Sequence, residues 1–243
     1  MELPTGPRDI KRTNPKELVI FGKPKCGKTS ITAELTRSGN WCILELEEGG
    51  ADFVEATVID IENLNDVVAA GQAIIAADRP YDGIVVDTVS KLEDLIMPRA
   101  AELYRGSPMG VNWKGTDVRT LPKGSGYLYM RQAFFEVLDY IRTLAPNIIL
   151  LGHLSDKMID KKGEELSSKE LDLTGKISSL TCARADAIAY CYRKDNQTIL
   201  NFNSNEGVVC GARAEHLRGK EIVIAESDLK TGAMTYHWDK VYI

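Results

Sequence analysis

The chain has 243 residues, 44% of them apolar and 27% charged, with a net charge of −5 and an isoelectric point near 5.4. That length suits one large domain with a sizeable core, and the mild acidity excludes a global pull toward nucleic acid, so any such binding must come from a local basic patch. No apolar run approaches the ~20 residues needed to span a bilayer, and the opening MELPTGPRDIKRTNPK has no apolar core of a signal peptide. The cysteines (Cys26, Cys42, Cys182, Cys191, Cys210) form no CxxC pair. They point to reduced thiols in a cytoplasmic protein.

Residues 1–16 are polar and carry Pro4, Pro7 and Pro15, an N-terminal arm ahead of a single domain over 17–243. ELVIF (17–21) predicts a buried parallel strand running into a glycine-rich loop. KTSITAELTRS (28–38) predicts a helix stopped by Gly39. WCILEL (41–46) and ATVIDI, ending at residue 61, are the next strands. LNDVVAAGQAIIAAD (64–78) has helical spacing. GIVVDTV (83–89) is a strongly apolar strand, and SKLEDLIMPRAAELY (90–104) is a helix that Pro98 must split or kink. Residues 105–126 show no periodicity and read as a long functional or disordered loop. YLYMRQAFFEVLDYIRTLA (127–145) is an amphipathic helix and NIILLGH (147–153) another buried strand. A second polar stretch covers 155–176. ADAIAYCYR (185–193) and QTILNFN (197–203) predict paired strands, with EIVIAES (221–227) and AMTYHW (233–238) beyond them. The alternation of strands and helices over the first 153 residues argues for an α/β fold, a mostly parallel sheet with helices on both faces.

The chemistry concentrates at strand ends. Gly22-Lys23-Pro24-Lys25-Cys26-Gly27-Lys28-Thr29 fits GxxxxGK[ST], and Ser30 continues it into the helix. Glycines let backbone N–H groups wrap a phosphate, Lys28 reaches the β- and γ-phosphates, and Thr29 offers a hydroxyl to Mg²⁺. Strand before and helix after are the context this motif needs, so ATP with magnesium is the expected ligand. Cys26 inside the loop is either a small tolerated residue or a thiol that an oxidant reaches. Asp87 ends GIVVD, where a carboxylate holds magnesium, or else caps the next helix. Glu47 in ILELEEGG is placed to orient the attacking water, with Glu45 and Glu48 as competitors and a solvated acidic turn as the alternative. His153 ends NIILLGH, as a γ-phosphate sensor or as an ordinary hydrogen-bonded histidine. The histidines His153, His216 and His237 lack metal-ligand spacing.

In the 105–126 loop, Arg105, Lys114, Arg119 and Lys123 face a single acid, Asp117, with Trp113 among them and Tyr127 and Tyr129 following. Cations tracking phosphates and rings stacking on bases suit single-stranded nucleic acid. The other reading is a solvated loop anchored by its aromatics. The 155–176 stretch carries Lys157, Lys161, Lys162, Lys169 and Lys176, but acids balance them.

Together these motifs resemble the RecA/RadA family of P-loop ATPases. IVVDTVSKL looks like the family's Walker-B strand, ILELEE lies where it places the catalytic glutamate, and LLGHLSDK resembles its sensor strand, with His153 where RecA carries glutamine. DLTGKISSLTCARADAIAYCYRK looks like the end of the second DNA-binding loop and the elements after it. The resemblance covers about residues 17–220 and implies a RecA-like core with antiparallel strands toward the C-terminus. The small size, and GAR (211–213) followed by HLRGKEI, are closest to the phage-encoded RecA-like single-strand-annealing proteins. That implies a DNA-stimulated ATPase in phage or bacterial recombination. Arg105, Trp113, Lys114, Arg119, Lys123, Lys157, Lys161 and Lys162 would then meet single-stranded DNA, in a filament or ring of like subunits and alongside a single-strand-binding protein. RecA's late lysine pair has no counterpart in NFNSN (201–205), which leaves Arg193, Lys194 and Arg213 as candidates for the cation supplied in trans. RecA's extra C-terminal domain is also without a counterpart, which favours annealing over strand exchange. A rival reading keeps the same core but gives it a protein partner, as a KaiC-like switch, helicase loader or packaging ATPase. A small-molecule kinase is disfavoured because no separate Arg-rich lid is evident.

Overall fold

The computed structural model describes residues 3, 5–37, 39–161, 164–205 and 207–243, the side chains of 157–161 and 164–167 excepted. Five parallel pairings build the centre of the sheet. Strand β1 (Glu17–Gly22) lies between β5 (Asn147–Lys161) and β7 (Ala187–Lys194). On the β5 side follow β4 (Gly83–Asp87), β2 (Trp41–Glu45) and β3 (Val58–Asp60). On the β7 side the pairing turns antiparallel through β8 (Gln197–Asn201), β10 (Glu221–Ser227) and β11 (Met234–Tyr236). The two-residue β9 (Gly211–Ala212) also pairs with β7. The sheet is therefore mostly parallel with an antiparallel C-terminal flank, the RecA-like P-loop arrangement. Strand β5 separates the loop-bearing β1 from β4, which opens a cleft between their ends.

Both faces are covered because the central strands are apolar on both sides. Val19 and Phe21 face a core completed by α2 (Leu64–Ala76), α3 (Val89–Leu95), α4 (Met97–Arg105), α5 (Gly126–Ile141) and α6 (Lys176–Arg184). Leu18 and Ile20 face the other core, closed by Ile31 of α1 (Lys28–Thr36) and by Leu217, Trp238 and Val241. Helix α2 starts on a capping box, Asn63 with Asp66. The break expected near Pro98 falls at Ile96, and Pro98 occupies the first turn of α4, where its missing N–H costs nothing. Among the described residues no helix is long and apolar enough to cross a membrane.

Two loops differ from their sequence reading. Strand β5 does not stop at His153. It runs on to Lys161 and pairs antiparallel with β6 (Glu164–Leu171), from Leu154↔Leu171 to Lys161↔Glu164. The ribbon leaves the sheet where β5's pairing with β1 ends. Its apolar residues, Leu154, Met158, Ile159, Leu166 and Leu171, do not alternate with polar ones, so no period-2 signal marks it.

The 105–126 segment is folded rather than structureless. Two short 3₁₀ turns occupy Val118–Thr120 and Pro122–Gly124, and Trp113 packs edge-on against Tyr104. Gly126 starts α5 against this segment, and a Cβ there would lie 1.8 Å from the Val118 carbonyl oxygen. Gly126→Ala is expected to cost roughly 1–3 kcal/mol through this overlap. In thermal denaturation that is a drop of several degrees, at about 2–4 °C per kcal/mol for a chain of this size.

Candidate nucleotide site

The loop of residues 22–29 leaves β1 and enters α1 through Gly27, whose φ of 102° only glycine tolerates without strain. Lys25 also has positive φ, 63°. No side chain caps α1, so its first N–H groups are left for an anion. Lys28 is buried, and its ammonium donates to the Gly22 and Lys23 carbonyls, each at 3.1 Å. An ammonium has three donors, and the third meets Cys26 Sγ at 3.9 Å, a long, weak contact that a phosphate oxygen would displace. Lys23, Pro24 and Lys25 are exposed on the outer side of the loop, while Cys26 is buried and Ser30 half-buried.

Asp87 ends β4 and is buried. The Thr29 hydroxyl donates to its Oδ2 at 2.6 Å. Burial pushes the Asp87 carboxyl up, and neighbouring Glu47 adds to that, while the Thr29 hydrogen bond, Lys28 and His153 oppose it. A hydroxyl and a desolvated carboxylate are hard oxygen donors in contact, a set that fits Mg²⁺ completed by phosphate oxygens and water. Among the described residues no group of three or more His, Cys, Asp or Glu could hold a metal ion.

A family model described as AAA domain matches residues 14–214. The chain belongs to the AAA domain family. It is a nucleotide-hydrolysing P-loop ATPase. No curated protein matches the chain in sequence. Among solved structures, it is similar to the crystal structure of the RadB recombinase, at 9% identity over 89% of each chain with a TM-score of 0.48. It is also similar to a KaiC-like protein from the hyperthermophilic archaeon Pyrococcus horikoshii OT3, at 9% identity over 91% of this chain and 89% of that one, with a TM-score of 0.45. Similarity at this level adds nothing to what the strand order already shows.

In this ATPase the three acids at the end of β2 and just beyond it have separate places. Glu45 is buried and accepts the Ala51 N–H, closing the turn, and burial pushes its carboxyl up. Glu48 is exposed. Glu47 lies beside the loop, with Oε1 accepting from the Thr88 hydroxyl at 2.9 Å and 2.7 Å from His153 Nε2. His153 Nδ1 is buried without a hydrogen-bond partner among the described residues. With Nε2 donating to the carboxylate, the neutral ring has its lone pair on Nδ1. The structure therefore brings Lys28, Thr29, Asp87, Glu47 and His153 together at adjacent strand ends.

Sequence reasoning missed the residues that fasten this cluster to helix α3. Ser90 accepts the His153 N–H at 3.3 Å and donates to the Asp172 carbonyl at 3.0 Å. Glu93, buried, accepts the Thr174 N–H with both oxygens. Helix α3 thus holds β5 and the segment just after β6 at the base of the ribbon. These partners lie more than 60 residues apart in sequence, so no local pattern announces them.

The basic loop is partly neutralised. Arg119 pairs with Asp117 at 2.8 Å and Asp94 at 3.4 Å, and Arg105 donates to the Gly115 carbonyl. Trp113 is half-buried on Tyr104, which also meets Tyr129. Its ring anchors the loop to the body, the second of the two sequence readings. Lys114, Lys123 and Tyr127 are exposed. Lys157 and Lys161 lie in β5, but their side chains are outside the described residues, as is all of Lys162.

The three cations assigned from sequence to a neighbouring subunit are scattered. The Arg193 guanidinium lies over its own chain's loop, with Nη2 3.6 Å from where a Gly27 Cβ would be. Lys194 is exposed at the end of β7. Arg213 pairs with Asp186 at 3.4 Å, before the start of β7 and at the opposite end of the sheet from the loop.

Proposed function

We propose that this chain is an ATP-dependent, single-stranded-DNA-binding recombination protein of the RecA-like type, annealing strands or forming filaments in phage or bacterial DNA recombination. The observation that carries the reading is the 2.7 Å contact between Glu47 and His153. It joins the nucleotide site to β5, and β5 continues without a break into the lysine-bearing ribbon. A charge change at the γ-phosphate would bear on Glu47 and pass through His153 to the ribbon base held by Ser90 and Glu93.

In this mechanism the loop N–H groups and Lys28 bind the phosphates. Thr29 and Asp87 hold magnesium, which supplies charge neutralisation to the phosphates when bound. Glu47 accepts a proton from the attacking water. The exposed Lys114 and Lys123, with the ribbon, meet the DNA backbone. Subunits associate head to tail, as a non-closing or ring-closing interface requires; with Arg193 over its own loop and Arg213 at the far end of the sheet, the exposed Lys194 is the candidate left for a cation supplied in trans.

ATP turnover with and without single-stranded DNA tests the proposal, and stimulation is the expected result. Lys114→Glu with Lys123→Glu should weaken DNA binding about tenfold and flatten the slope of log affinity against log salt by roughly 0.7 per lost phosphate contact. Unchanged binding across several salt concentrations would remove this loop from the interface. One observation favours a second reading, an ATPase acting on a protein partner. The pairing of Arg119 with Asp117 and Asp94 draws charge away from the loop. Turnover indifferent to DNA is its signature.

A further inference from the structure

Cys191 stands in β7 directly opposite Gly22 of β1. Gly22 has no side chain, and a Cβ there would lie 2.3 Å from the Cys191 carbonyl oxygen and 2.9 Å from Cys26 Sγ. The side chain of Cys26 therefore folds back from the phosphate loop into the space that Gly22 leaves, against the sheet. There Cys26 lies in the same buried cluster as Cys191, whose place in the register is opposite Gly22. The Lys28 ammonium lies 3.9 Å from Cys26 Sγ. Two buried thiols of one packed cluster, one of them on the nucleotide loop with a cation beside it, make a dithiol built into the site.

The remaining cysteines show how unlike its surroundings this pair is. Burial pushes the thiols of Cys42, Cys182 and Cys210 up to about 11. Cys26 goes the other way, to about 6, through the Cys191 hydrogen bond first and the Lys28 charge, against the opposing effect of burial. Cys191 is pushed well above the ordinary thiol value as the donor of that pair. The thiolate is the reacting form of cysteine, so one partner is an attacking sulfur and the other a resolving thiol.

We propose that Cys26 and Cys191 are a modification site at which a peroxide forms a disulfide and closes the loop to nucleotide. The Cys26 thiolate attacks one oxygen of hydrogen peroxide. The O–O bond breaks, hydroxide leaves, and Cys26 becomes a sulfenic acid. The Cys191 sulfur then attacks the Cys26 sulfur, and its proton leaves with the sulfenic oxygen as water. The hydroxide takes up the proton that Cys26 had released. Two thiols and one peroxide thus give one disulfide and two waters, with the sulfur pair oxidised by two electrons and the peroxide reduced. An S–S bond of about 2.05 Å then joins the two sulfurs. Residue 26 is then strapped to β7, and the peptide groups on either side lose the freedom to wrap a phosphate.

The experiment treats the full chain with hydrogen peroxide and measures ATP affinity by calorimetry, alongside a peptide map made without reductant. The expected result is a Cys26–Cys191 cross-linked peptide, a loss of ATP affinity of at least tenfold, and recovery of both on adding a dithiol. Cys191→Ala should bind ATP like the parent, form no cross-link, and present Cys26 to dimedone as a sulfenic acid after peroxide. The proposal is overturned if the treated parent keeps its affinity, or if the map shows Cys26 and Cys191 reduced or paired elsewhere. Should Cys191→Ala not fold, the map and affinity of the parent chain decide alone. Because the readout is ATP affinity, the outcome does not depend on whether the partner is DNA or protein.

Discussion

Lys28→Ala is expected to reduce ATP affinity by about 100-fold or more. The ammonium is buried and already donates to the Gly22 and Lys23 carbonyls, so its position is fixed before nucleotide arrives. Little ordering entropy is lost on binding. Hydrogen bonds to charged groups contribute ~1.5–3 kcal/mol each. Losing the equivalent of one or two of them, at 1.4 kcal/mol per tenfold, spans roughly 10 to 10⁴ in affinity, with about 10²–10³ at its centre. The same substitution removes the donor from two loop carbonyls, so the nucleotide-free protein should melt a few degrees lower. Lys28→Arg does not restore binding, because a planar guanidinium cannot reproduce a compact ammonium between two convergent carbonyls. Calorimetry giving Lys28→Ala an affinity within threefold of the parent would contradict the P-loop assignment.

The loop was legible in the sequence because everything it needs is local. Two glycines, a lysine and a hydroxyl within eight residues carry both the backbone geometry and the charge. Asp87, Glu47 and His153 were legible one step further out. Each ends or follows an apolar strand, and a parallel sheet brings such ends to one edge. What tells Glu45 from Glu47 is a hydrogen bond to the Ala51 N–H, settled by how the turn closes. The ribbon of β5 and β6 was not legible, since its few apolar residues do not alternate and only strand pairing orders them. The Arg119–Asp94 and Cys26–Cys191 contacts were hidden for a different reason. They depend on which helix packs under the loop and which strand flanks β1, and pattern along the chain does not carry that information. Cation counting alone likewise overstated the 105–126 loop, because it could not see Asp94 beside Arg119.

Glu47→Gln should lower turnover by at least about 100-fold while leaving ATP affinity within a few-fold of the parent. General-base assistance is worth roughly 10²–10⁴ in rate, and an amide cannot accept the proton of the attacking water. Thr88 and His153 both hold Oε1, so the other oxygen is the one left to meet water. The amide is isosteric and keeps an oxygen for the Thr88 hydroxyl, so the loop and its affinity are unaffected. Loss of rate without loss of binding is the signature of a group acting in the transition state. A general collapse of both would mean that Glu47 only supports the fold. His153→Ala separates the second part of the proposal from the first. It leaves the Glu47 carboxylate in place with one partner, Thr88, so basal hydrolysis should fall only several-fold. The route from the γ-phosphate to the ribbon is cut, however, and stimulation by single-stranded DNA should disappear. If His153→Ala lost basal turnover as completely as Glu47→Gln, the histidine would belong to the chemistry itself. If it kept full stimulation, the ribbon would take its signal elsewhere, and Ser90 and Glu93 on helix α3 would be the residues left to carry it.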